Sequence, residues 1–241
     1  MDFLEEKETK KIQKDFYKKE AKFFDSKQKR ENRNHINKIK AISNFLDIKK
    51  GDLVLEIGAG TGIHSAHLLE NNEIDFRLIC SDMSIYMLFE AQKRINKDER
   101  IEFLILEGER LPFPDGCFDK IFVSGALHHF FDPQKGVSEF LRVLKRKGHL
   151  CVMEPNYFFP TNFFGTWTRI EERGIKNMTR EKLSKWFTSQ CVEFTIENFA
   201  YTPPFPMCML YFWDFLDSFL AKIPFVRKFS IMLFLRCVKL Y

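Results

Sequence analysis

The sequence predicts an α/β fold, a doubly wound and mostly parallel sheet of seven strands, and three observations carry that expectation. Between positions 52 and 155, short runs rich in Ile, Val, Leu and Phe alternate with stretches of helical periodicity. The first of these runs ends in a glycine-rich turn that opens a helix, "LVLEIGAGTGIHSAHLLE" over 53–70. Two further strand patterns stand near the end of the chain. With 241 residues, 45% of them hydrophobic, the chain is long enough for one such domain and short for two.

The elements follow in order. Apolar residues recur at helical intervals from Phe3 to about Phe24 and again from His35 to Leu46, forming an N-terminal helical cap over 1–48. The core, 49–156, reads as strand 52–58, helix 61–71, strand 76–82, helix 84–96 capped by Ser84, strands 101–107 and 120–126, helix 133–145 and strand 149–155. Gly148, after "VLKRK", is the expected C′ glycine of that last helix. The remaining 157–241 supplies substrate-cover segments and closing strands: a helix over 179–189, a strand in "VEFTIENFAY", an apolar helix over 207–222 and a strand in "FSIMLFLRCVK".

Charge and cysteines narrow the function classes. Residues 1–50 hold 15 Lys and Arg against 9 Asp and Glu, a surplus of six, so a total of +5 leaves −1 for the other 191 residues. The basicity belongs to the N-terminal helices, as a solvated face or an attraction to an anionic surface, and no basic groove for nucleic acid is expected. Six cysteines lie far apart without metal-like spacing, so no metal is expected and a reducing cytoplasm is the expected compartment. No uncharged apolar stretch of about 18 residues exists, so no membrane span is expected.

The glycine turn sorts ligands. A triphosphate cradle needs Lys after its last glycine, and Ile63 follows Gly62 instead. The dinucleotide fingerprint GxGxxG fails at the same residue. What remains is GxGxG with Glu56 two positions before Gly58. A carboxylate there repels phosphate and suits a cation such as an α-amino group or a sulfonium, which points to S-adenosylmethionine. Asp82, about 20 residues past the loop at the end of the next strand, can accept both hydroxyls of a ribose.

These stretches resemble class I S-adenosylmethionine-dependent methyltransferases, in particular the small-molecule subgroup that includes quinone C-methylases. "VLEIGAGTG" is similar to the first motif of that family, and "ICSDMSIYMLFEAQKR" to its second strand and helix. "LEGERLPFPDGCFDKIFVSGALHHF" resembles the stretch ending in L-H-H, and "EFLRVLKRKGHLCVMEPN" the fifth-strand block. The resemblance covers 50–156 well and the rest loosely. It implies a Rossmann-like methyltransferase fold, with S-adenosylmethionine as cofactor and S-adenosylhomocysteine as product. It also implies roles by position. Glu56 would hold the methionine amino group, directly or through water. The amides around Gly58, Ala59 and Gly60 would line its carboxylate. Asp82 would take the ribose, Met83 would cover the adenine, and Ser124 and Gly125 would line the methionine moiety. Glu107 stands where the family has an aspartate for the adenine amino group, and Gly108 replaces the usual alanine. Tyr17, in "DFYKKEAKFFDS", would face the donor or the acceptor.

Methyl transfer from a sulfonium is an in-line displacement that rests on alignment. A base helps only if the acceptor must lose a proton, and the candidates are His128, His129 and Glu154. Fourteen of 28 Phe and all three Trp fall in 157–241, where the family builds its substrate cover. A nonpolar or amphiphilic, lipid-like small-molecule acceptor is therefore expected, with the apolar helix over 207–222 as core, lid or contact with the inner membrane face. The alternatives are a scaffold that binds the cofactor without turnover, motivated by Glu107 and Gly108, and a methyltransferase acting on RNA or protein. The latter is disfavoured by "SGAL" where base N-methylases carry an NPPY-like tetrapeptide.

Overall fold

A computed structural model describes residues 3–25, 33–71, 73–95, 97–188, 192–200, 210–223 and 225–240. Two helices, α1 (Phe3–Glu20) and α2 (Arg33–Leu46), precede β1 (Leu53–Ile57). Then come α3 (Ile63–Glu70), β2 (Arg77–Asp82), α4 (Ile85–Ile95), β3 (Ile101–Ile105), β4 (Phe118–Ser124), α5 (Pro133–Val143) and β5 (Leu144–Pro155). The last part holds α6 (Pro160–Thr168), α7 (Arg180–Thr188), β6 (Val192–Phe199), α8 (Leu210–Leu220) and β7 (Met232–Lys239), with a 3₁₀ segment Ile170–Asn177 after α6.

The seven strands form one sheet in the order β3-β2-β1-β4-β5-β7-β6. The first five are parallel, and β7 enters antiparallel between β5 and β6. The period of two along each strand divides the core. Val54, Phe122, Cys151, Met153 and Phe234 pack with Ile42 and Leu46 of α2 and Leu68 of α3. Their neighbours Leu55, Ile121, Val123, Leu150, Val152 and Leu235 pack on the opposite face with Phe140 of α5 and Phe187 of α7. Burial on both faces is why these strands read as near-continuous apolar runs.

Two local expectations change. The helix of 133–145 ends at Val143, and β5 begins at once, with Leu144 paired to Phe118 ahead of a register shift. Gly148 thus lies inside a strand. Lys147 takes the positive φ of 59°, and a Cβ on Gly148 would stand 2.7 Å from Leu144 Cδ1, so glycine serves a close approach there. Ser84 does precede α4, but its hydroxyl makes no cap; its backbone N–H donates instead to Asp82 Oδ1 at 2.8 Å. Of the expected apolar helix, 207–209 lie outside the described residues, as do Cys191, Cys208 and the ends at Asn96, Ser189 and Tyr201.

Strand order reverses between β1 and β4, where β1 leads outward to β2 and β3 and β4 outward to β5. Ligands of open α/β sheets bind beyond the carboxyl ends of the strands at that point.

Candidate cofactor and acceptor site

A cavity opens there, enclosing about 790 Å³ of space continuous with solvent. Its floor is built from strand ends. Gly58 adopts φ +68°, and a Cβ on it would fall 2.2 Å from Ala126 Cβ, so the turn after β1 can lie against the end of β4 only as glycine. Gly60 N–H donates to Asp82 Oδ2 at 2.9 Å. With Ser84 N–H on the other oxygen, Asp82 fastens the glycine turn to the end of β2 while still lining the cavity. Ala59, Met83, Ser124 and Gly125 line it too. The Ser124 hydroxyl is buried and lacks a hydrogen-bond partner among the described residues, and nothing lies within 4 Å of where a Gly125 Cβ would be.

The wall after β3 holds Glu107 and Gly108. A Cβ on Gly108 would stand 2.3 Å from Phe130 Cζ, which explains why alanine is absent there. Glu107 accepts from Lys10 Nζ at 2.9 Å, and Lys10 also pairs with Glu6 at 2.7 Å and Glu109 at 3.5 Å. Partial burial opposes the Lys10 charge, yet these acids outweigh it and raise its pKa to about 12. The cavity is lined by three acids, Asp82, Glu107 and Glu109, and one lysine.

The cap comes from α1 and Ile170–Asn177. Tyr17 lines the cavity, and its hydroxyl lies 2.7 Å from His129 Nε2. His129 Nδ1 lies 3.0 Å from the Glu171 carbonyl oxygen. A carbonyl only accepts, so Nδ1 carries the proton, Nε2 is bare, and Tyr17 donates to it. Gln13 Nε2 donates to the same carbonyl at 3.1 Å.

Behind this wall lies a buried charged network. Glu154 Oε1 accepts from Ala126 N–H at 2.9 Å and Leu127 N–H at 2.8 Å, capping the short helical turn Leu127–His129. Its Oε2 meets His128 Nδ1 at 2.5 Å, and His128 Nε2 lies 3.2 Å from Glu172 Oε2. Burial disfavours charge on His128, but the two carboxylates prevail and raise its pKa to about 9. Burial and the adjacent imidazolium push His129 down to about 3, so it stays neutral. Burial opposes ionisation of Glu172 as well, and His128 outweighs it, lowering the acid to about 2. A Cβ on Gly174 would fall 1.6 Å from the His128 carbonyl oxygen, so the cap segment approaches this turn as closely as glycine allows.

Of the sequence candidates, Tyr17, Gly58, Ala59, Gly60, Asp82, Met83, Glu107, Gly108, Ser124, Gly125 and His129 meet at one cavity. Glu56, His128 and Glu154 do not line it. Glu56 is buried beneath the loop, accepts from the Ser65 hydroxyl and lies 3.5 Å from His64 Nδ1, and His64 is the side chain of that pair that reaches the cavity. Sequence reasoning passed over His64, Lys10, Phe24, Met87 and Glu172. The first four lie on helices whose periodicity marked only a packed face, and Glu172 sits in a cover segment without a motif.

The fold agrees with comparison to known proteins. Residues 55–152 match the family model described as a methyltransferase domain. The chain matches that model over 98 of its 241 residues. It is 36% identical over 104 residues to a demethylmenaquinone methyltransferase of Clavibacter sepedonicus, covering 43% of this chain and 41% of that protein. The chain thus spans less than half the length of the curated relatives it matches. Among solved structures, a chain of the Haloferax volcanii complex between the Trm112 methyltransferase activator and a methyltransferase shares the fold. Its TM-score is 0.69 at 18% identity, over 93% of this chain and 98% of that one. A Haemonchus contortus phosphoethanolamine N-methyltransferase in complex with S-adenosyl-L-methionine gives 0.64 at 21%, over 85% and 53%. S-adenosylmethionine is the cofactor that the matched family description would imply, and the residues lining the cavity fit it. An acid-rich wall favours a sulfonium over a pyrophosphate, the open space over Gly125 admits a ligand against the backbone, and the Ser124 hydroxyl offers a polar partner.

Proposed function

We propose that this chain transfers a methyl group from S-adenosylmethionine to a small, largely apolar acceptor of quinone-like chemistry. The observation that carries the reading is the charge of the cavity at the strand-order reversal: three acids against one lysine, which is itself paired to two of them. A phosphate-bearing ligand would meet repulsion there, whereas a cationic donor is attracted.

When bound, the cofactor supplies a methyl group on a positively charged sulfur. The residues of this chain bind, orient and exclude water. Asp82 offers its remaining lone pairs to a ribose, and Gly58, Ala59 and Gly60 offer backbone to the amino-acid end. Met83 and Met87 would give apolar cover, and Glu107, paired with Lys10, would be the acid of that wall available to the adenine amino group. Glu56 acts from beneath through His64. Tyr17, held by His129, lines the cavity, where the face of its ring would suit a cation.

Holding donor and acceptor in line lowers the barrier by several kcal/mol without a side-chain nucleophile. His128 and Glu154 are consumed in the buried network, and His129 already accepts from Tyr17. These three residues therefore hold the site together, and the acceptor's chemistry does not depend on a strong base. The apolar side chains of the cavity, Phe24, Met87, Leu106 and Phe130 among them, together with the named quinone methyltransferase relatives, support the acceptor class.

The test is calorimetry with S-adenosylhomocysteine on the native protein and on Asp82→Ala, followed by labelled-methyl incorporation into extracted quinones and lipids. Micromolar binding that weakens about 10–100-fold in the variant is expected, as for loss of hydrogen bonds to a charged acceptor. Absence of binding, or an unchanged variant, overturns the reading.

A further inference from the structure

Outside the cavity, α4 and the end of α1 expose an apolar patch set among lysines. Ile85, Tyr86 and Phe89 are 57%, 43% and 56% exposed, and Phe23 on the adjoining turn is 58% exposed. Positions 85, 86 and 89 are neighbours on one helix face, and the turn Ala21–Phe23 packs against α4. Scattered exposed apolar groups are ordinary, but four bulky ones on one surface mark a contact site. Lys18, Lys19, Lys22 and Lys93 are exposed around them. Lys18 Nζ lies 5.6 Å from the Tyr86 ring centre and Lys93 Nζ 4.3 Å from that of Phe89. Between positions 14 and 33 the sequence has eight Lys or Arg against four acids.

We propose that this patch docks on an anionic lipid bilayer. Aromatic and aliphatic tips that enter the headgroup boundary while flanking lysines meet anionic headgroups are the chemistry of interfacial binding. Glu90, beside Phe89 on α4, pairs with Lys93 at 3.0 Å, so the positive surplus at the patch rests on Lys18, Lys19 and Lys22, and that surplus favours anionic headgroups. The position also suits an apolar acceptor. Phe24 and Met87, the residues following Phe23 and Tyr86, face inward and line the cavity. The inference does not rest on the methyl-transfer reading, because binding to vesicles is measured without turnover. It also differs in place from the C-terminal helix that the sequence offered for membrane contact.

The experiment is cosedimentation with vesicles of phosphatidylglycerol and phosphatidylcholine in equal parts, and with phosphatidylcholine alone. Circular dichroism and cooperative thermal unfolding verify that each variant is folded. The native protein is expected to pellet with the anionic vesicles and to be released by salt. Lys18→Gln with Lys22→Gln should weaken that binding about thirtyfold, taking ~1 kcal/mol for each basic side chain at the surface. Ile85→Ser with Phe89→Ser should weaken it about tenfold or more. Three results overturn the proposal: no pelleting of the folded protein, pelleting that neither double variant changes, or a patch-dependent dimer in sedimentation velocity without vesicle binding.

Discussion

The floor and the cap of the cavity are made of different material. The floor consists of backbone at the ends of β1, β2 and β4, with Gly58 against Ala126 and Asp82 tying the turn together within 22 residues of sequence. The cap consists of side-chain contacts that bridge distant segments: Tyr17 to His129, Gln13 to the Glu171 carbonyl, Lys10 to Glu107, and His128 to Glu154 and Glu172. A floor of that kind fails by collision when a carbon is added. A cap of this kind fails by leaving a buried charge alone when one partner is removed. Position in the cavity therefore predicts the kind of damage a substitution does.

The largest effect should come from Glu154→Ala, which takes the nearer of two carboxylates from the His128 cation and strands two N–H donors in the interior. A loss of about 3–5 kcal/mol in denaturant unfolding is expected. A loss below about 1 kcal/mol would mean that the network carries no charge and would erase the distinction between the two walls.

The pH dependence of stability sharpens the same point. His128 is raised to about 9 in the fold, against 6.5 unfolded. Its contribution, about 3 kcal/mol, is complete below pH 6.5 and is lost as pH rises through about 9. His129 is depressed to about 3, so below pH 6.5 the unfolded chain takes up a proton that the native state refuses, and stability falls toward pH 3. Glu172, depressed to about 2, contributes above pH 4.5 and is lost as pH falls through about 2. Thermal unfolding should therefore be most resistant near pH 6.5. In Glu172→Gln the alkaline decline should begin at lower pH, because His128 keeps one carboxylate instead of two.

On the floor, Gly58→Ala should cost roughly 2–3 kcal/mol from the collision with Ala126 and the positive φ, and abolish S-adenosylhomocysteine binding in calorimetry, with no change in the pH at which stability peaks. The smallest effect belongs to Tyr17→Phe. It removes one hydrogen bond to His129, worth about 1 kcal/mol, keeps the ring in the cavity, and should weaken cofactor binding less than tenfold. A larger loss would show that the cap, rather than the floor, governs affinity.

The legibility of the molecule follows the same division. The inner parallel strands β1, β2, β4 and β5 are readable because burial on both faces leaves near-continuous apolar runs. At the sheet edge, β3 is half exposed and readable from its Ile, Phe and Leu alone. The glycine turn was readable because its constraint lies within a few residues. The end of α5 was misplaced, since a glycine after a basic run is a sound helix-stop signal, and only the pairing of Leu144 with Phe118 shows that the strand had already begun. Glu56 was assigned to the cavity by position, whereas Ser65 and His64 enclose it from α3.

The sequence by itself determined the class of fold, the turn that excludes phosphate cradles, and Asp82 at the second strand end, because local periodicity and local sterics write themselves into neighbouring residues. Only the tertiary structure decided which of two adjacent histidines is charged, that Glu172 and Lys10 belong to the site, and where the exposed aromatic and basic groups coincide. Those properties arise from electrostatic and packing contacts between segments as much as 158 residues apart, and a desolvated charge takes its state from whatever the fold brings beside it.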